Sequence, residues 1–171
     1  CNAGMRLPMP TAFLPPLLLS LALAGCSSFK PAGPPAPSEA GAAAAPSLAS
    51  EQRRLSELFR GTPVDFEIQA DGSLRVTVPL RFSFDKGRHA VKPPLGAVLE
   101  RIAKSQHKAG TRVHVSAPAD PNSKGLMLAT ERATSARDYM VARGIEATRF
   151  SVSALGSGDT VVIVVADPAA H

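Results

Sequence analysis

The chain has 171 residues, enough for one ordinary domain with additional segments. Its formal net charge is +5, and its aromatic residues are seven Phe, one Tyr and no Trp. The charges are spread along the chain, with no run of basic residues and no interleaving of basic and aromatic side chains. A nucleic-acid-binding function therefore has little support. A mildly basic surface that faces an anionic polymer or a membrane stays open.

Residues 5–26 read MRLPMPTAFLPPLLLSLALAGC, which is the pattern of a secretory signal. Arg6 supplies the positive region, residues 13–23 supply the apolar core, and small residues precede Cys26. The apolar stretch is too short and too interrupted by proline to span a bilayer stably. Residues 1–4 precede Met5, and we assign them no role. Without them Cys26 is the one cysteine of the chain, which excludes an internal disulfide.

The ending Leu23-Ala24-Gly25-Cys26 resembles the lipobox of bacterial lipoprotein precursors. In those precursors the cysteine receives a diacylglyceryl group and becomes the mature N-terminus, so the resemblance implies that Cys26 is lipidated. Several acyl chains anchor a protein firmly, where one would be marginal. Ser27 stands where an Asp would retain a lipoprotein in the inner membrane, which implies the outer membrane. The alternative is an ordinary signal peptide in which Cys26 is incidental.

Composition divides the chain into three parts. Residues 1–25 are predicted to be the leader and signal peptide, residues 26–50 the lipidated cysteine and a Pro/Ala-rich tether, and residues 51–171 a folded domain. Residues 31–50 are nearly all Pro, Ala, Gly and Ser, which cannot build a core. At about 3.1 Å per residue a stiff tether could reach about 70 Å, and a disordered spacer is the alternative.

The first half of the domain is predicted to be a short helix followed by a β-hairpin. Apolar residues at helical spacing predict a helix over 50–60, with Ser50 as N-cap and Gly61 as stop. Alternating residues predict strands over 64–68 and 74–82, joined by an Asp-Gly turn. Pro79 lacks an N–H, so we expect it at an unpaired edge position or a bulge.

The second half of the domain alternates between helical and strand patterns. Helices are expected over 92–108 and 124–143, and strands over 113–117, 150–154 and 160–165. The later helix is predicted to bury Leu126, Ala129, Ala133, Ala136 and Met140. The continuous apolar run TVVIVV is expected of a strand that is covered on both sides. This order predicts a two-layer α/β sandwich with both longer helices on one face of the sheet.

Four segments give the domain a family resemblance. They are RFSFDKGRHAVKPPLGAVLERIA at 81–103, VHVSAPAD at 113–120, LATERATSARDYMVARGI at 128–145 and FSVSALGSGD at 150–159. Over roughly residues 64–166 the chain resembles the OmpA-like domain family, which includes peptidoglycan-associated lipoproteins. The resemblance implies a βαβαββ core, preceded here by a hairpin strand and a short helix. The cysteine and the tether ahead of the domain add to the likeness.

The resemblance also implies a binding site. Members of the family bind the diaminopimelate end of a peptidoglycan stem peptide, and their motif Asp and Arg fall on Asp120 and Arg132. A zwitterionic amino-acid head group suits a carboxylate and a guanidinium, which can each bind one end of it. The sequence departs from the family pattern in the loop 121–125, which is about three residues shorter, and in the short turn 156–159.

The same residues have a plainer interpretation. Asp120-Pro121 is also a good helix start, with Asp as cap and Pro at the first position, and Arg132 could then be solvated. The four histidines, His89, His107, His114 and His171, lack metal-ligand spacing and are expected on the surface. The sequence shows no nucleophile-elbow serine and no suggestive pair of carboxylates. We therefore expect no enzyme, no metal and no cofactor.

Two functions from different classes remain open. The first is a wall anchor, lipid-bound in the outer membrane with its domain in the periplasm, which holds peptidoglycan without a covalent bond. The second is a structural adaptor, an OmpA-like scaffold with a degenerate pocket, which docks another envelope or secretion-machine protein.

Overall fold

The computed structural model describes residues 47–121 and 125–168. The chain divides into two units, Cys1–Gly41 and Ala42–His171, and every described residue lies in the second. The predicted signal segment, Cys26, most of the tether and His171 lie outside the described residues. Within the described ranges, no helix has the length and apolarity that crossing a bilayer requires.

The described residues form a five-stranded mixed sheet with helices packed against it. In chain order the elements are α1 (Leu48–Leu58), β1 (Asp65–Ile68), β2 (Leu74–Pro79), the single turn α2 (Leu80–Ser83), α3 (Pro93–Gln106), β3 (Arg112–Pro118), α4 (Met127–Val141), β4 (Phe150–Leu155) and β5 (Thr160–Ala166). The strand order is β1-β2-β5-β3-β4, and only the β3–β4 pairing among these is parallel. The predicted α/β architecture is confirmed.

The core lies between one face of the sheet and the helices. Phe66, Val76, Ile163 and Val115 stand side by side across four strands and are all buried. They belong to one cluster that also contains most of the buried apolar side chains of α1, α3 and α4. As predicted, α4 buries its alanines and Met140, whose short or flexible side chains let the helix lie close to the sheet. All these residues lie within Ala42–His171, so this unit has its own core.

Strand β5 is covered less evenly than its sequence suggested. Val161, Ile163 and Val165 face the core and are buried. Val162 and Val164 point to the opposite face, where Val164 is only half-buried. A central position in the sheet, with neighbours on both edges, is therefore enough to favour a continuous apolar strand.

Two predicted element ends in the first half are wrong. Helix α1 begins at Leu48, and its N-cap is Ser47, whose hydroxyl accepts a hydrogen bond from the backbone N–H of Ser50. Strand β2 ends at Pro79 rather than at 82, because the next residues turn into α2. The Leu80 N–H still donates to the carbonyl of Asp159, which continues the pairing with β5 by one hydrogen bond. Pro79 thus closes an interior strand and is not on a sheet edge.

Helix α4 begins later than predicted. It starts at Met127 rather than 124, and Leu126, which we expected in the core, is 52% exposed. Asp120 and Pro121 do not start this helix, because Leu126 occupies its N-cap position. This difference leaves the Asp120 side chain available for other partners.

Candidate functional site

The two charged residues that the sequence singled out lie side by side. Asp120 follows β3 by two residues, at the edge of the sheet where β2, β3 and β4 end and β5 begins. Arg132 lies on the buried side of α4. The Nη2 atom of Arg132 is 2.5 Å from Oδ1 of Asp120, which makes a charge-assisted hydrogen bond.

Arg132 is fully buried, with 0% of its side chain exposed. Its Nε donates to the carbonyl of Arg88 at 2.9 Å, its Nη1 to that of Pro118 at 3.0 Å, and its Nη2 to that of Asp85 at 3.1 Å. Its Cζ also lies 5.4 Å from the centroid of the Phe84 ring. One guanidinium thus joins α4, the end of β3 and the loop between α2 and α3.

Asp120 has a second partner in that same loop. Its Oδ2 accepts a hydrogen bond from the backbone N–H of Gly87 at 2.6 Å, at a φ of 67° that favours glycine. Desolvation raises the pKa of Asp120, but the hydrogen bonds from Arg132 and Gly87 and the charges of Arg132 and Lys86 outweigh it. The pKa of Asp120 is therefore held below its ordinary value, and the group is a carboxylate at neutral pH.

These contacts bear on the two interpretations of Asp120 and Arg132, a ligand clamp or a helix cap with a solvated arginine. The helix-cap role of Asp120 and the solvated Arg132 are both wrong, because the two side chains are paired and Arg132 is buried. Their binding of a ligand stays a prediction. In this structure four of the five N–H groups of Arg132 donate to protein oxygens and the side chain is fully buried, so a ligand carboxylate could reach the guanidinium only if the residues that cover it moved.

An open cleft of about 580 Å³ lies beside Asp120. Its apolar wall contains Pro79, Leu80, Phe84 and Pro121. Its charged lining consists of three cations and three carboxylates, namely Arg81, Lys86, Lys92, Asp85, Asp120 and Asp159. A cleft with both signs of charge suits a ligand that itself carries both signs.

The sequence did not reveal most partners of Arg132. Three of them are backbone carbonyls, which carry no side-chain signal, and the Gly87 amide is likewise invisible by residue type. The one available signal was the segment FDKG at 84–87, which combines a turn with charged residues. Four of the six charged residues of the cleft lie within 81–92, but Asp120 and Asp159 come from distant segments, so no spacing could have joined all six.

The histidines do not form a metal site within the described parts of the chain. No group of three or more His, Cys, Asp or Glu among those residues could hold a metal ion. His89 and His107 are exposed, as expected. His114 is half-buried on the sheet face opposite the core, where its ring nitrogens lie 2.7 Å from the Ser151 hydroxyl and 3.0 Å from the Ser153 hydroxyl.

Comparison with known proteins gives matches to structures only. No family model matches the sequence, and no curated protein sequence matches it. A putative MotB-like protein from Desulfovibrio vulgaris superposes with a TM-score of 0.57 and 15% identity, over 70% of this chain and 91% of that one. The periplasmic domain of Helicobacter pylori MotB superposes with a TM-score of 0.53 and 21% identity, over 64% and 83% of the chains.

A third structure is described as the cell wall anchor of the type VI secretion system (T6SS) from Pseudomonas aeruginosa. It superposes with a TM-score of 0.54 and 20% identity, over 72% of this chain and 98% of that one. At these identities the likeness establishes the fold. The chain has the OmpA-like fold of the MotB type.

Replacing the buried guanidinium should destabilise the domain even when the charge is kept. We expect Arg132→Lys to lower the free energy of unfolding by about 2 kcal/mol or more, because an ammonium has three donors on one atom and loses at least one of the four hydrogen bonds. Urea unfolding of the Ala42–His171 unit measures this. The control Arg137→Lys changes a half-buried arginine paired with its neighbour Asp138, and should stay within about 0.5 kcal/mol of wild type. Equal losses in the two variants would contradict the structural role of Arg132.

Acid should remove the contribution that the Asp120 carboxylate makes to the free energy of unfolding. Because its folded pKa is lowered, the stabilisation is present above the unfolded pKa of about 3.9 and is lost as the pH falls through the folded pKa. We therefore expect the gap in unfolding free energy between wild type and Asp120→Asn to narrow steadily below about pH 4. Urea unfolding at a series of pH values from 7 to about 2.5 measures the gap. A gap independent of pH would show that folding does not lower the pKa of Asp120 and would contradict the ionic contact.

Proposed function

We propose that this chain is an outer-membrane lipoprotein that binds peptidoglycan without a covalent bond and links the membrane to the cell wall. Cys26 would carry the lipid, the Pro/Ala-rich tether would span part of the periplasm, and the OmpA-like domain would hold the wall. The ligand would be the diaminopimelate end of a stem peptide, as the family resemblance implies.

The observation that carries the proposal is the meeting of Asp120 and Arg132. Residues that match the family's binding motif lie 2.5 Å apart, at the sheet edge and beside a cleft of mixed charge. The fold is shared with a protein described as a cell wall anchor. A shared fold by itself does not fix function, so the paired residues and the cleft carry the inference.

Asp120 and Arg132 have different roles in this proposal. The Asp120 side chain is 15% exposed and lines the cleft, so its carboxylate can meet a ligand ammonium. Arg132 is buried and holds Asp120 and the loop 85–88 in place. Arg132 is therefore first a positioning residue, and a direct bond to the ligand requires the loop to move.

The buried state of Arg132 also gives a second candidate function. If the guanidinium never leaves its four protein acceptors, the domain lacks the positive half of the predicted clamp. It would then be the structural adaptor, which docks another envelope protein through its surface. Binding to purified wall material separates the two functions.

We expect the unit Ala42–His171 to sediment with purified diaminopimelate-type peptidoglycan. Asp120→Asn should weaken this binding at least tenfold, because the amide lacks the charge that an ammonium needs. Asp65→Asn is the control, since it removes the same charge from an exposed position on edge strand β1. If the wild-type unit stays in the supernatant, the adaptor function replaces the wall anchor.

The lipid anchor is tested separately on the full chain. We expect Cys26→Ser, expressed in a Gram-negative bacterium, to remain an uncleaved precursor without acyl groups, because a hydroxyl cannot form the thioether to the lipid. Gel mobility and labelling with radioactive palmitate measure cleavage and acylation. Cys1→Ser is the matched control and should be processed as wild type. Normal processing and labelling of Cys26→Ser would remove the lipoprotein part of the proposal.

A further inference from the structure

The cleft beside Asp120 contains charges that the structure leaves without a partner. Of its six charged side chains, Lys92 pairs with Asp85 at 2.9 Å, and Asp120 pairs with Arg132. Within the described ranges, no ion pair involves the remaining three, Arg81, Lys86 and Asp159. The open charges of the cleft are thus two cations and one carboxylate.

These three residues are held at the cleft from two different segments. The Leu80 N–H donates to the carbonyl of Asp159 at 2.6 Å, which fixes the β4–β5 turn against α2. The Cζ of Arg81 lies 4.7 Å from the centroid of the Phe82 ring. Lys86 is exposed, and its charge is close enough to lower the pKa of Asp120. The open charges therefore line the same cleft as Asp120.

We propose that this cleft binds an amino-dicarboxylate group, in which Lys86 and Arg81 receive the carboxylates and Asp159 joins Asp120 in receiving the ammonium. This inference rests on the proposed wall-binding function and names new contact residues for it. It places the ligand's charges on exposed side chains, so Arg132 can stay buried while the ligand is bound. Asp120 and Arg132 form one wall of the site, and the ligand's selectivity comes from the other three residues.

The charges in the cleft that form no ion pair indicate the class of ligand. Two free cations and one free carboxylate match a group with two carboxylates and one ammonium, whereas a simple amino acid leaves one cation unmatched. A stem peptide that ends in diaminopimelate presents this combination at its terminal residue. A free acidic amino acid such as glutamate carries it too, so both sources belong in the test.

The experiment measures dissociation constants by calorimetric titration of the Ala42–His171 unit. The probes are the tripeptide L-Ala-γ-D-Glu-meso-diaminopimelate, the matching tripeptide that ends in L-lysine, and free glutamate. The lysine peptide keeps the ammonium but lacks the additional carboxylate. Binding by the diaminopimelate peptide at least tenfold tighter than by the other two probes would support a wall ligand. Equal binding of glutamate would show a site for a free metabolite.

Two variants test the assignment of charges. Asp159→Asn should raise the dissociation constants of both tripeptides at least tenfold, because both tripeptides carry the ammonium. Lys86→Gln should raise the dissociation constant of the diaminopimelate peptide at least tenfold and that of the lysine peptide less than threefold. The reason is that only the diaminopimelate peptide carries the extra carboxylate. Lys104→Gln on the exposed face of α3 and Asp65→Asn on β1 remove the same charges elsewhere and should change neither constant by more than twofold.

The outcomes separate this inference from the proposed function. One outcome is that the unit sediments with peptidoglycan and Asp120→Asn weakens that sedimentation, while Lys86→Gln and Asp159→Asn behave as their controls. In that case the assignment of the cleft residues is wrong and wall binding stands. If neither peptidoglycan nor the diaminopimelate peptide binds the wild type, the cleft assignment and the proposed wall-binding function are both wrong. Lys86 and Asp159 are exposed, and urea unfolding midpoints equal to that of wild type confirm that Lys86→Gln and Asp159→Asn are folded.

Discussion

The arrangement of the functional end of this domain depends on one buried guanidinium. Removing an arginine from water is costly unless its N–H groups find acceptors, and here they find three backbone carbonyls and one carboxylate. The acceptors come from β3, from the residues after it and from the loop between α2 and α3. Residues 85–88 of that loop, and the cleft they border, therefore depend on Arg132, because the apolar side chains of the loop that pack against the core are Phe84 and Val91 at its two ends.

The pairing also sets the electrostatics of the cleft. Asp120 is kept ionised by its hydrogen bonds and by nearby cations, although desolvation opposes this. Once the two internal ion pairs are formed, the excess charge of the cleft is carried by exposed side chains from α2, the following loop and the β4–β5 turn. Burial of one charged pair thus supports the structure, while charges in contact with water remain free to bind. A site divided in this way can exchange ligands without disturbing the fold.

The short turn before β5 has a structural consequence. In this chain residues 156–159 join β4 to β5 almost directly, and the backbone of Asp159 binds the start of α2. A carboxylate is thereby placed at the cleft where a longer connection would position other groups. The departure from the OmpA-like pattern at 156–159 thus adds a carboxylate to the cleft.

The sequence by itself determined the elements, their order and the apolar faces that make the core, because periods of two and 3.6 residues are local properties. It also selected Asp120 and Arg132 through the family motif. Element ends were not predicted as well, since β2 stops at Pro79 where the chain turns into α2, and α4 starts at Met127. Only the tertiary structure decided that Arg132 is buried and that Arg81, Lys86 and Asp159 share a cleft. The reason is physical: backbone acceptors have no signature in the sequence, and charges from distant segments meet only after the sheet has formed.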